Sequence, residues 1–124
     1  MELALQPGTY AICRLDPGSS VPGWAAADLL STLRNEEELS LVCGDAGVPE
    51  GVTADRGWRL LRLVGSQDLA LTGVLVQLLE PLGAASVPIF AISSYDTDHV
   101  LVPGARLEDA VAALEGAGHE VSGR

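Results

Sequence analysis

Apolar positions in this chain fall into short alternating runs punctuated by glycine and proline, with two stretches of helical period. "TYAICRL" (9–15), preceded by the turn pair Pro7-Gly8, reads as a strand, as do "ELSLVC" (38–43) and "WRLLRLVG" (58–65). Between them, "DPGSSVPG" (16–23) and "GDAGVPEGVTADRG" (44–57) are polar connections, and "RNEEE" (34–38) is a hairpin turn. "WAAAD" (24–28) could supply one helical turn, and "LLSTLRN" (29–35) begins with helix formers but is short. Leu71, Val74, Leu75, Leu78, Leu79 and Leu82 form the stripe of an amphipathic helix, with Ser66 or Asp68 as N-cap candidates and Pro81 set to kink or tighten the last turn. "PIFAISSYDTDHVLV" (88–102) predicts strands near 88–94 and 99–103 around an island of hydrogen-bonding side chains. "RLEDAVAALEGAG" (106–118) places Leu107, Ala110, Val111 and Leu114 on one helical face and stops at Gly118, and "HEV" (119–121) can close an edge strand.

Residues 58–121 therefore read strand, helix, strand, strand, helix, short strand, the split βαβ pattern of a ferredoxin-like unit. The first half gives a weaker version of the same order. "ELSLVCG" (38–44) aligns with "DHVLVPG" (98–104), and the acidic turn "RNEEE" falls opposite "YDTD". The expectation is an α+β chain of tandem ferredoxin-like βαββαβ units, helices on one face of antiparallel sheets, with a degenerate unit at 1–57 and a second at 58–124.

Composition narrows the function classes. With 124 residues and 48% hydrophobic side chains, the chain can build a packed core, though at 4% aromatic it must do so from Leu, Val, Ile and Ala. A formal charge of −10, with seven arginines and no lysine, argues against nucleic acid and anionic membrane as partners. The start Met1-Glu2 has no basic leader and no apolar run reaches a membrane span, so a cytoplasmic location is expected. Cys13 and Cys43 sit in strand-like runs and read as reduced, buried small hydrophobes.

The island Ser93-Ser94-Tyr95-Asp96-Thr97-Asp98-His99 is the densest chemistry in the chain. A metal site there would have at most Asp96, Asp98 and His99, short of the usual ligand spacing. Ser93 and Ser94 lack an activating elbow, and His99 is too near in sequence to promise a triad, so no enzymatic role is expected. The glycines form neither a phosphate loop nor a dinucleotide fingerprint, and no cofactor is expected. His119 is expected to lie exposed near a helix C-terminus. A physical case exists for a zwitterion site. Gly65 turns the chain out of a strand, a following helix N-terminus favours a carboxylate, and Asp68 or the hairpin carboxylates can grip an ammonium or guanidinium group. The alternatives are helix capping by Ser66 and Asp68, an Asx-type turn in the hairpin, and pairing of Asp98 with Arg62 or Arg59.

"VPIFAISSYDTDHVLV" followed by "LEDAVAALEGAGHEV" resembles the ACT-domain superfamily, specifically the small tandem-ACT proteins of the CASTOR-like group. Ser94 stands where that signature usually has Thr, and His99 where it has an aromatic residue. "ELSLVC", "VPEGV", "RGWRLLRLVG" and "LTGVLVQLLEPL" fit the group's pattern in order, so the resemblance spans nearly the whole chain. It implies a regulatory role in sensing small molecules, most often amino acids, at an interface between ACT units; relatives with four such units sense arginine. Carried over, the ligand-binding residues are Gly65, Ser66, Gln67, Asp68 and Leu69 with Ser93, Ser94, Tyr95, Asp96, Thr97 and Asp98. A homodimer is expected, because a ferredoxin-like sheet leaves one face bare of helices. Any output would need a separate effector protein. The rival reading is a ligand-independent protein-interaction module in which the island is only a structured hairpin.

Overall fold

The structure, a computed structural model, describes residues 1–65 and 73–124. It has eight strands, β1 (Glu2–Leu5), β2 (Tyr10–Leu15), β3 (Ser31–Arg34), β4 (Leu39–Gly44), β5 (Thr53–Leu63), β6 (Phe90–Ser93), β7 (Asp98–Pro103) and β8 (Glu120–Ser122), and two α-helices among the described residues, α1 (Val74–Ala84) and α2 (Leu107–Gly116). The fold class is α+β, antiparallel-dominated and ferredoxin-like, as the sequence predicts. The chain forms two compact units, Gly8–Trp58 and Met1–Pro7 with Arg59–Arg124. No helix among the described residues is long and apolar enough to cross a membrane.

The Gly8–Trp58 unit orders its strands β3-β4-β2-β5, the last through the N-terminal part of β5. Alternate residues Ala11 and Cys13 of β2 and Leu39, Leu41 and Cys43 of β4 form its core with Ala25 and Val48. The helical turn expected at 24–28 does not form. Those residues instead lie so close over the sheet that Gly44 N–H bonds the Ala26 carbonyl at 2.9 Å, and a side chain at Gly44 would meet that oxygen at the same distance. Residues 31–34 become β3 for a related reason. Asn35 accepts from the Glu37 and Glu38 amides at 2.8 and 2.9 Å, closing a tight turn that brings Arg34 opposite Leu39. Both thiols are buried and free, and burial, with the neighbouring Cys13, pushes the Cys43 thiol up to about 11.

In the second unit the strand order is β6-β7-β5-β1-β8. β1, which the sequence pattern does not mark, lies antiparallel to β5 (Leu3 opposite Leu63) and parallel to β8 (Leu3 opposite Val121). One sheet face carries Leu3, Leu5, Leu61, Leu63, Val100 and Val102, and both helices add to this core, α1 through Leu78 and Leu82 and α2 through Ala110 and Leu114. Each such leucine contributes roughly 1.5–3 kcal/mol relative to exposure. The α1 stripe is confirmed from Val74 onward. Leu71 and the cap candidates Ser66 and Asp68 lie outside the described residues, and Gly73 holds the N-cap position with φ +76°.

Two helix ends are closed in the same way. After α2, Gly118 (φ +94°) lets its own N–H reach the Glu115 carbonyl and the His119 N–H reach Leu114. After α1, Ser86 takes that left-handed place at φ +57°, and Arg106 ties the turn by donating to the Ala85 and Ser86 carbonyls, both at 3.2 Å. The turn after α2 decides the fate of His119, which is buried and not exposed as the sequence suggested. Pro81 has no N–H for the Gln77 carbonyl one turn earlier, and His119 Nε2 donates to that carbonyl at 3.0 Å. The proline defect in one helix is thus mended by the residue that leaves the other. His119→Ala should destabilise the chain by about 1–3 kcal/mol in urea denaturation. Restoring the helical donor with Pro81→Ala should shrink that cost, and an equal cost in both backgrounds would contradict the pairing.

Candidate functional site

Strand β6 turns into β7 through a four-residue closure in which Ser94 N–H bonds the Thr97 carbonyl at 2.8 Å. The Ser94 hydroxyl also reaches that carbonyl at 3.0 Å, so Ser94 binds the turn on its own. Asp96 makes no Asx turn: the hydroxyl one position before Tyr95 does the closing, and Asp96 and Tyr95 stand exposed at the tip, Tyr95 at 80%. The β3–β4 hairpin closes in the equivalent way, Asn35 N–H to the Glu38 carbonyl at 3.0 Å. That match sets Glu38 level with Thr97, one position off the sequence alignment, which sets Glu38 level with Asp98.

Asp98 opposes Ser93 in the ladder and accepts from its hydroxyl at 2.6 Å. It is half-buried, and by strand alternation it shares the helix-bearing face with Val100 and Val102. Among the described residues its partner is therefore a serine, not Arg59 or Arg62. Ser93 engages Oδ1, and the carboxylate's remaining acceptor sites have no partner among the described residues.

His99, next in β7, points to the opposite face, where it pairs with Ile92. Adjacent strand residues cannot chelate one ion from two faces, so Asp98 and His99 are not brought together. His99 is 8% exposed, and its Nδ1 is buried without a partner among the described residues. Burial, with the Arg62 guanidinium second, lowers its pKa below the ordinary 6.5, and the Ile92 backbone and Asp98 oppose the shift in part.

Thr97 makes the link that the sequence did not signal. Its hydroxyl donates to the carbonyl of Leu63 at 2.8 Å, 34 residues away at the end of β5. The N–H of the same peptide unit, Val64, bonds Glu2 of β1 at 3.0 Å, so this peptide is held from both sides. The next residue is Gly65, at φ +90°, a conformation that favours glycine. The hairpin residues and Gly65 are thus brought to one end of the sheet. Ser66, Gln67, Asp68 and Leu69 lie outside the described residues. Gly73, the N-cap of α1, carries no side chain to cap the helix, and the first turn of α1 has no acidic residue.

A family model described as an ACT domain matches residues 53–116. The chain belongs to the ACT-domain family. A second model, of an N-terminal domain, matches residues 8–51. An Agobacterium tumefaciens protein of known structure is 32% identical over 99% of this chain and 92% of its own, with a TM-score of 0.93. A Vibrio cholerae protein of unknown function is 20% identical over 94% of this chain and 88% of its own, at TM-score 0.75. The ligand-free regulatory subunit of aspartate kinase from Thermus thermophilus is 14% identical over 93% of this chain and 96% of its own, at TM-score 0.64, and shares the fold.

In this ACT domain the lowered His99 pKa fixes the sign of one pH effect. The fold prefers neutral His99, so the unfolded chain binds more protons once pH falls below about 6.5. Stability should drop as pH falls from that value through the folded-state pKa, and His99→Gln should flatten the slope. In an NMR titration the His99 imidazole should show a midpoint below 6.5, and a midpoint above it would contradict the assignment.

Proposed function

We propose that this ACT protein is a non-enzymatic regulator that binds an amino acid at the end of the sheet where the β6–β7 hairpin meets Gly65. The observation that carries the reading is the Thr97 hydroxyl on the Leu63 carbonyl, because it joins the acidic hairpin to the strand end from which Gly65 departs. Asp98 then serves as the receptor for the ligand's cationic group, its carboxylate oriented by Ser93. The N-terminus of α1, eleven residues long and preceded by glycine, suits the ligand's carboxylate. Gly65, Ser66, Gln67, Asp68 and Leu69 complete the ligand-binding set in this reading, and Tyr95 and Asp96 form an exposed rim.

The regulatory subunits of aspartate kinase that share this fold support a regulatory role over a catalytic one. In the finer reading the protein is a CASTOR-like tandem of ACT units, 1–57 and 58–124, working in the cytoplasm as a homodimer. A second copy supplies the facing ACT unit at the ligand interface, and a separate effector protein receives the signal. Binding that favours one quaternary arrangement shifts its population by differential affinity, which is all that signalling requires.

A specific observation also favours a rival: Asp98 is already engaged by Ser93, as a purely structural carboxylate would be. A thermal-shift screen of the twenty amino acids at millimolar concentration separates the two. At least one should raise Tm, with Asp98→Asn cutting its affinity by more than tenfold and Asp96→Asn by much less. No stabilisation by any amino acid, or Asp98→Asn lowering Tm without altering affinity, would favour the ligand-independent interaction module.

A further inference from the structure

We infer that Thr97 is a positioning residue, and that its hydroxyl, through the Leu63–Val64 peptide, makes the hairpin and the Gly65 segment one mechanical unit. The inference rests in part on the amino-acid-binding reading above, which it deepens. The Thr97 backbone takes part in the turn's closure but its side chain does not, since Ser94 supplies the hydroxyl there, at 3.0 Å from the Thr97 carbonyl. Its Oγ1 instead reaches 34 residues back to Leu63 O at 2.8 Å. A planar trans peptide ties that carbonyl rigidly to the Val64 N–H, which is fixed to Glu2 O at 3.0 Å. Any displacement of the hairpin therefore pulls on the Leu63–Val64 peptide, one peptide before Gly65, which itself stands at φ +90°.

The consequence is a division of labour within "SSYDTD". Ser94 closes the turn and Ser93 aims Asp98. Thr97 sets the distance between Asp98 and Gly65, a distance to which a zwitterion spanning the two is sensitive. Thr97 touches no ligand in this scheme. It acts through Leu63 and Val64, and its loss would loosen the site without removing a contact.

The test uses the full chain with Thr97→Val, which keeps the shape but lacks the donor, and Thr97→Ser, which keeps the donor. Hydrogen exchange of the ligand-free protein is read first. The Val64 and Ser94 amides should exchange about tenfold faster in Thr97→Val, the change expected for losing one hydrogen bond of typical strength. Amides of β4 should not change, and Thr97→Ser should restore the wild-type rates. The twenty amino acids are then titrated by thermal shift, and the best stabiliser should bind Thr97→Val about tenfold more weakly and Thr97→Ser normally. Unchanged Val64 exchange in Thr97→Val, or Thr97→Ser behaving like Thr97→Val, would overturn the positioning role. If exchange responds as expected but no amino acid binds any form, the positioning role stands and the amino-acid reading fails.

Discussion

A carbonyl at the end of a strand must find a donor, and the candidate site is organised around the donor that Leu63 finds. By accepting from Thr97 at 2.8 Å, it draws a hairpin 34 residues distant against the strand end that leads into Gly65. An unpaired buried carbonyl costs about 1–3 kcal/mol, a large share of the margin by which a small domain is stable, so the pairing is strongly specified. Asp98 inherits its position from that contact and its orientation from Ser93.

The same obligation to satisfy backbone groups explains the rest of the C-terminal unit. Pro81 leaves the Gln77 carbonyl without its helical partner, and His119 is buried because it answers that need. Arg106 reaches the Ala85 and Ser86 carbonyls at the end of α1, where Ser86 is held at φ +57°. Side chains that look like functional candidates, a histidine and an arginine in an acidic protein, are thereby given structural work. That leaves acceptor sites of Asp98 on the helix-bearing face, and the buried His99 Nδ1 and Arg59 Nε, without partners among the described residues.

Much of this was legible in the sequence. The leucine stripe of α1 and the Leu107–Leu114 stripe of α2 have the 3.6-residue period that burial on one face demands, and both are helices. "AICRL" alternates as a half-buried strand must, whereas in "LSLVC" Leu39, Leu41 and Cys43 face the core and Val42 is buried as well. The N-terminal half misled for a local reason: "WAAADLLSTL" is rich in helix formers, yet the Asn35 turn and the contact of Ala26 with Gly44 override propensity with specific hydrogen bonds. His119 was misplaced because only the three-dimensional path from Gly118 brings it to a carbonyl 42 residues earlier. For the site, the residue types in "SSYDTD" were visible. Which hydroxyl serves the turn and which serves β5 depends on pairing between distant strands, and no local pattern encodes that.

The central claim is that the hairpin and the Gly65 end of β5 form one amino-acid site. A two-dimensional amide NMR titration of the labelled full chain with each of the twenty amino acids tests it most directly. The account predicts that one or more of them shifts the Gly65 amide and those of Ser93 to Asp98 together, along a single saturation curve, while amides of β4 stay in place. Shifts confined to other parts of the chain, or none in either segment with any amino acid, would contradict it.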